Sequence, residues 1–246
     1  MILLEKLETY KSGEIHDSSR AKEYSKTHEA MHRFLAYRDF PLLVKDFENI
    51  NKVLDLGSGA GDSSQYLFKK GYEVLGTDKS SSMIKQSRLN FPYINFVDFD
   101  NIKNIYNFDL VFSCFVLFEL SSKNEIVDYL NLSSDKLRNG GLFFGITGSQ
   151  DLHQKVRNWA CFDVNYPVNE NPRSGELVKL GLKDPKMEFY DYFWTELDYR
   201  ECFQLSNLEL FRVYYPLGYR NEKFEWRDEL FISPFVIFMA KKIKRQ

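Results

Sequence analysis

Three observations predict an α/β fold built on a mostly parallel sheet. Short apolar runs alternate with helical segments over residues 51–148, glycines punctuate the junctions, and a polar connection separates the last two apolar runs. Seven strands are predicted, with helices on both faces, an N-terminal helical lead-in, a cap insertion after the fifth strand, and a last strand antiparallel to its neighbour.

Over residues 20–50, Tyr24, His28, Met31, Phe34 and Leu35 recur at helical spacing, and Pro41 opens a second helix through Leu42, Leu43 and Phe47. Lys52-Val53-Leu54-Asp55-Leu56 is an apolar strand running straight into Gly57-Ser58-Gly59-Ala60-Gly61, and a helix follows from Ser63 to Lys70. The alternation continues with a strand at Tyr72 to Thr77, a helix at Ser81 to Asn90 and a third strand at Ile94 to Val97. A fourth strand spans Asp109 to Phe115, a helix Lys123 to Arg138, and the Gly140-Gly141 turn leads to a fifth strand at Leu142 to Thr147. Residues 149–192 break the rhythm: Pro167, Pro172 and Pro185 with Asn-rich turns predict an irregular cap holding at most short helices. Within residues 193–246, Thr195-Glu196-Leu197-Asp198 has the spacing of a capping box and opens a helix to about Leu205. Leu208 to Tyr215 and Pro234 to Lys241 are the last two strands, joined across Gly218 to Glu229 by a hairpin connection.

A chain of 246 residues that is 43% apolar and 28% charged suits a single domain with ample core material. With 33 Lys+Arg against 35 Asp+Glu there is no basic excess, so nucleic acid ranks below small molecules as a partner. The start, Met1-Ile2-Leu3-Leu4-Glu5, meets charge too early for a secretory signal, and no apolar run reaches membrane-spanning length, which predicts a cytoplasmic protein, monomer or homodimer. Cys114, Cys161 and Cys202 lie far apart, and His28 and His32 lack acidic or thiol partners at a recognisable spacing, so neither a disulfide framework nor a metal site is expected. The unusual figure is 16% aromatic, with 22 Phe, 15 Tyr and 3 Trp.

Glycines at alternate positions let the backbone turn sharply and approach a ligand, while the next helix aims its first amides at the same place. Asp78, at the end of the second strand, stands where an acid accepts hydrogen bonds from ribose hydroxyls. The spacing is GxGxG, and Asp62 occupies the position where a dinucleotide fingerprint needs a small residue beside the pyrophosphate, which disfavours NAD and NADP. GxxxxGK[ST], the triphosphate-binding loop, is absent.

Val53-Leu54-Asp55-Leu56-Gly57-Ser58-Gly59-Ala60-Gly61 resembles the first motif of class I S-adenosylmethionine-dependent methyltransferases, a Rossmann-like family. Asn95-Phe96-Val97-Asp98, Phe108-Asp109-Leu110-Val111 and Leu137-Arg138-Asn139-Gly140-Gly141-Leu142 are similar to its later segments in the same order. Residues from Asp191 to Ala240 resemble the C-terminal part of a bacterial, small-molecule group within that family whose acceptors are mostly unassigned. The resemblance implies S-adenosyl-L-methionine as cofactor and S-adenosyl-L-homocysteine as product. It places Gly57, Ser58 and Gly59 beneath the methionine portion, with Gly61 completing the turn and Asp55 fixing the turn's amino end. Asp78 would take the ribose hydroxyls, Lys79 and Met83 would flank the adenine, and Asp98 would accept from the adenine amino group beside the Phe99 backbone, with Asp100 a rival for that contact. Ser113, Cys114 and Phe115 would lie beside the sulfonium and methyl, and Tyr24 and Arg33 would close over the cofactor carboxylate.

Methyl transfer from a sulfonium is an in-line displacement dominated by positioning, and a proton acceptor is needed only when the nucleophile arrives protonated. Glu119, after the fourth strand, and His153, in the cap, are the candidate bases. The run Phe189-Tyr190-Asp191-Tyr192-Phe193-Trp194 offers Tyr192 and Trp194 as pocket residues, with Tyr166 a further candidate, either orienting an apolar acceptor or facing the sulfonium through cation-π attraction. The same run could equally be a core-facing strand that covers the sheet.

Overall fold

The computed structural model describes residues 32–184 and 186–243. Tyr24 lies outside them, as does the side chain of Arg33, whose backbone belongs to a π-turn at His32–Ala36. Pro41 stands in the first turn of α1 (Phe40–Val44), where its missing amide costs nothing.

Strands β1 (Lys52–Leu56), β2 (Glu73–Asp78), β3 (Asn95–Asp98), β4 (Phe108–Cys114) and β5 (Leu137–Gly148) alternate with α2 (Asp62–Lys69), α3 (Ser81–Asn90) and α4 (Lys123–Lys136). After the cap come α5 (Glu196–Gln204), a strand at Leu208–Tyr214 and another at Phe235–Lys242. Three cap strands, β6 (Phe162–Asp163), β7 (Leu177–Lys183) and β8 (Lys186–Tyr192), make these last two β9 and β10. The main sheet has seven strands in the order β3-β2-β1-β4-β5-β10-β9. β1 to β5 pair in parallel, and β10 runs antiparallel to both neighbours, as predicted.

Successive residues of each strand supply opposite faces. Val53, Leu110, Phe112, Phe144, Ile237 and Met239 pack with α1, Leu67 of α2 and Ile84 of α3 in one core. Leu54, Val111, Phe143, Val236 and Phe238 pack with Ile126 and Leu130 of α4 and with Tyr199 and Phe203 of α5 in the other. Strands buried on both sides must be apolar throughout, which is why they read as continuous runs.

Two readings need correction. The Gly140-Gly141 pair does not lead into β5 but lies inside it, where the register shifts so that Phe108 pairs with Leu137 and Leu110 with Leu142. Gly140, at φ +71°, supplies the left-handed residue of this irregularity. The cap is not irregular: β6, β7 and β8 form an antiparallel sheet in that order, with Val178 opposite Asp191 and Leu180 opposite Phe189. Trp159, Phe162 and Leu180 of the cap join the same buried cluster as Phe144 and Ile237, and β8 packs on the Leu117–Glu119 turn that follows β4.

A charged hub fixes the lead-in to the C-terminal segment. Arg38 donates from Nε and Nη2 to both carboxylate oxygens of Asp39 at 2.9 Å, and from Nη1 to Glu222 at 2.7 Å. Its Nη2 also reaches the Leu217 carbonyl at 2.8 Å, and its guanidinium lies 3.7 Å from the Tyr219 ring centroid. Trp226 Nε1 and the Tyr219 amide donate to Glu222, and the Tyr214 hydroxyl donates to Asp39, so both carboxylates are satisfied by planar, geometrically matched donors.

Candidate functional site

The loop between β1 and α2 is shaped by three residues with positive φ: Gly57 at +85°, Gly59 at +50° and Gly61 at +97°. A Cβ at Gly57 would stand 2.3 Å from Cγ2 of Val116, and one at Gly61 would meet the Phe91 and Phe96 rings at 2.8 and 2.9 Å. The amides of Gly57 and Ser58 both donate to the Thr77 carbonyl at 2.9 Å, stitching the turn onto the end of β2.

Asp78 occupies the centre of this junction. Its Oδ2 accepts from the Gly59 amide at 2.9 Å and its Oδ1 from the Ser80 amide at 2.8 Å, and burial raises its pKa. A carboxylate offers about four lone-pair sites, so acceptor capacity remains after these two bonds. Ser80 caps α3 by accepting from the Met83 amide, and Met83 is buried behind it. Lys79 is exposed, with its ammonium 5.8 Å from the Phe99 ring centroid.

Asp55 ties the far end of the turn rather than its amino end: Oδ2 accepts from Ser63 at 2.6 Å and from Ser64 at 2.5 Å, at the start of α2. Asp98 pairs in register with Asp78 and accepts from Arg88 at 3.0 Å, at the same edge of the sheet. Asp100 lies in the following 3-10 turn and points at Lys103, 3.0 Å away. Of the two, Asp98 is the one beside Asp78.

At the end of β4, Ser113 is fully buried and shares a 2.7 Å hydrogen bond with Tyr129, whose hydroxyl donates to the Leu56 carbonyl at 2.8 Å. Its hydroxyl therefore braces β4 against α4. Cys114 is buried, and burial pushes its thiol well above the ordinary range, as a small apolar residue would require. Phe115 stands at φ +62°, costly for a bulky side chain and characteristic of functional turns. Its amide donates to Ile146 at 2.8 Å, and its ring lies 4.8 Å from Phe235 and 6.0 Å from Phe118.

The overall fold is shared with solved structures. One is an S-adenosylmethionine-dependent methyltransferase from Clostridium acetobutylicum, 17% identical, TM-score 0.62, covering 87% of this chain and 92% of that one. Another is the PH0226 protein of Pyrococcus horikoshii, 16% identical, TM-score 0.63, covering 88% and 94%. A curated relative, a methyltransferase designated 235L of Invertebrate iridescent virus 6, is 27% identical over 175 residues. That match spans 64% of each chain, so this chain covers less than two thirds of the relative's length. Residues 53–141 match the family model of a methyltransferase domain. Residues 53–141 are thus similar to methyltransferase domains, and the chain has the fold of S-adenosylmethionine-dependent methyltransferases.

The residues present fit that cofactor. Ser58 Oγ, Asp55 Oδ1 and Thr77 Oγ1 are buried in and beneath the glycine turn without hydrogen-bond partners, and buried orphan polar atoms need a ligand or water to satisfy them. The positive-φ glycines put no side chain of their own on the turn at positions 57, 59 and 61. The turn offers a close backbone approach, and Asp78 beside it keeps acceptor capacity, as that cofactor would need.

The two candidate bases, Glu119 on the turn after β4 and His153 in the cap, each interact with Asp191, a residue that sequence reasoning passed over. His153 Nε2 lies 3.6 Å from Asp191 Oδ2, with both side chains 3% exposed. Glu119 sits on the turn beneath β8, and its carboxyl is pushed well up by burial and by the negative charges of Asp191 and Asp78. Asp191 was hidden by the aromatics around it, since the run reads as a hydrophobic block. Its strand position opposite the buried Val178 is the signal that would have revealed it.

The aromatic candidates divide. Trp194 is a core residue: it packs in the same cluster as Tyr199 and Phe238, and its indole donates to the Leu120 carbonyl at 3.0 Å. Tyr192 is half-buried and packs against that cluster too. Tyr166 lies on the outer face of the cap sheet, with its hydroxyl on Glu188 at 3.2 Å and the Lys179 ammonium 4.5 Å from its ring. The core-facing reading of the aromatic run therefore holds for Trp194, and Tyr166 stands on the opposite face of the cap sheet from Asp191.

Asp55 gives the domain a pH dependence. Burial pushes its carboxyl up to about 7 despite the two serine donors. The folded state then binds a proton more tightly than the unfolded chain, so the stability contribution is full below pH ~4 and is lost as pH rises through 7. Asp55→Asn is expected to remove this loss, narrowing the difference in urea stability between pH 5 and pH 8 by roughly 2–4 kcal/mol. An unchanged pH dependence would show that Asp55 is already ionised in the fold.

Proposed function

We propose that this methyltransferase transfers the methyl group of S-adenosylmethionine to a small-molecule acceptor, at an oxygen or nitrogen nucleophile, by in-line displacement. On this reading residues 1–246 act as one domain, with residues 149–192 as its substrate cap. One observation carries the acceptor class: β8 of the cap packs on the Leu117–Glu119 turn just beyond the end of β4. An acceptor must then come between the cap and the glycine turn, an enclosed approach that suits a small ligand better than a folded RNA or protein surface. The near balance of 33 basic and 35 acidic residues supports the same choice. Among the described residues no helix is long and apolar enough to cross a membrane, and no cluster of His, Cys, Asp and Glu could hold a metal ion.

In this assignment Asp78 takes the ribose hydroxyls, Gly57, Ser58 and Gly59 carry the methionine portion, and Asp98, Lys79 and the Phe99 backbone border the adenine. The cofactor supplies an electrophilic methyl on a good leaving group. The protein's share is to orient the nucleophile behind that methyl and to keep water out, which can be worth several powers of ten in rate. Incubating a cell extract with the protein and methyl-labelled S-adenosylmethionine, then separating small molecules, RNA and protein, tests the assignment. Label is expected in the small-molecule fraction, and protein-dependent label confined to RNA or protein would overturn it.

A further inference from the structure

The main sheet reverses its strand order between β1 and β4, and there the two strands part before their other pairings end. β1 pairs with β2 as far as Leu56 opposite Thr77, and β4 pairs with β5 as far as Cys114 opposite Ile146. β1 and β4 pair only as far as Asp55 opposite Phe112. Such a switch point, at the carboxyl edge, is where open sheets of this kind leave a crevice for a ligand. Two buried hydroxyls bridge the strands where they diverge: Tyr129 of α4 donates to the Leu56 carbonyl at 2.8 Å, and Ser113 of β4 lies 2.7 Å from the same hydroxyl.

A phenol has one proton, and that of Tyr129 is committed to Leu56, so the proton between the two hydroxyls comes from Ser113. The chain therefore runs from the Ser113 O–H to the Tyr129 O–H to the Leu56 carbonyl, each bond polarising the next. Burial pushes the Tyr129 phenol far up, which keeps it a donor. Ser113, expected beside the sulfonium, has its only proton turned inward. What the chain holds is one peptide unit. The Leu56 carbonyl shares its plane with the Gly57 amide, and that amide donates to the Thr77 carbonyl at 2.9 Å. The Leu56–Gly57 peptide is thus gripped from β2 at one end and from α4 and β4 at the other, at the step where the strand ends and Gly57 takes φ +85°. The grip from β2 is backbone alone, whereas the grip on Leu56 depends on two side chains.

Resting on the methyltransferase reading above, we infer that Tyr129 and Ser113 are positioning residues for the amino-acid part of the cofactor. Their hydroxyl chain sets the Leu56–Gly57 peptide, and with it the entry to the glycine turn, without touching the cofactor. Asp78, assigned to the ribose on that reading, is fastened instead to the Gly59 and Ser80 amides. Loosening the peptide at Leu56 therefore costs affinity for the amino-acid part and spares the nucleoside.

Isothermal titration of the full chain with S-adenosylhomocysteine and with methylthioadenosine, which has the same nucleoside but no amino-acid group, tests this. Tyr129→Phe removes only the hydroxyl. It is expected to weaken S-adenosylhomocysteine by about ten-fold and to leave methylthioadenosine within about two-fold of the parent. Ser113→Ala should show the same pattern at about three-fold. The double variant should fall no further than Tyr129→Phe, because the two hydroxyls act in series. Unchanged S-adenosylhomocysteine affinity in Tyr129→Phe, or an equal loss for both ligands, would mark a purely structural bond and overturn the inference. Ser113→Ala decides by the same two readings if Tyr129→Phe does not fold. A parent that binds both ligands equally would also overturn it, since the turn would then not hold the amino-acid part. A parent that binds neither would instead sink the methyltransferase reading itself, a distinguishable result.

Discussion

Asp78→Ala is expected to weaken S-adenosylhomocysteine binding by about a hundred-fold or more, because hydrogen bonds to a charged acceptor are each worth roughly 1.5–3 kcal/mol and, on the proposed assignment, both ribose hydroxyls donate to this one carboxylate. The loss has a second component. Asp78 accepts from the Gly59 and Ser80 amides, so removing it also releases the middle of the glycine turn and the start of α3. Asp78→Asn separates the two, since the amide oxygen keeps one acceptor position while the charge is gone. Its affinity should fall between those of the parent and Asp78→Ala in isothermal titration. Equal affinity in all three would remove Asp78 from the site.

Gly57→Ala should be the most damaging single-methyl change in the turn. At φ +85° a side chain costs about 1–2 kcal/mol in backbone strain, and the new Cβ would lie 2.3 Å from Val116 Cγ2. Val116 directly follows Phe115, itself held at positive φ, so relief of the clash by moving this segment would displace the end of β4. The expected result is a stability loss of roughly 2–4 kcal/mol in urea denaturation together with a marked loss of cofactor affinity. Pairing it with Val116→Ala should restore the steric share and leave the backbone share, a non-additivity that a double-mutant cycle measures. Additive effects would mean that the two residues do not meet.

The parts of the molecule legible in the amino-acid order are those where local chemistry and fold agree. β1 to β4 are apolar runs because helices cover both faces, and the glycine turn is visible because only glycine tolerates Gly57 and Gly61 in their places. The capping box at Thr195 and Asp198 forms as read, with both reciprocal hydrogen bonds present. The cap sheet was hidden for a physical reason: its outer face carries Lys179, Lys186 and Glu188, and the prolines around it read as breaks. Trp194 was ambiguous because an aromatic block has the same composition whether it lines a pocket or fills a core. The Arg38 hub could not be read at all, since it joins residues 184 positions apart in the chain. The His153–Asp191 meeting belongs to the same class, two ordinary residues brought together only by where the cap folds.

The central claim is that the turn at Gly57–Gly61 with Asp78 is built for the nucleoside and amino-acid parts of S-adenosylmethionine. Isothermal titration of the parent chain with S-adenosylmethionine, S-adenosylhomocysteine and NAD measures it directly. The two sulfur nucleosides are expected to bind with dissociation constants of about micromolar order and NAD not to compete with them, because Asp62 stands where a pyrophosphate would need neutral ground. Binding of NAD in preference, or no heat from either sulfur nucleoside at about millimolar concentration, would contradict the account.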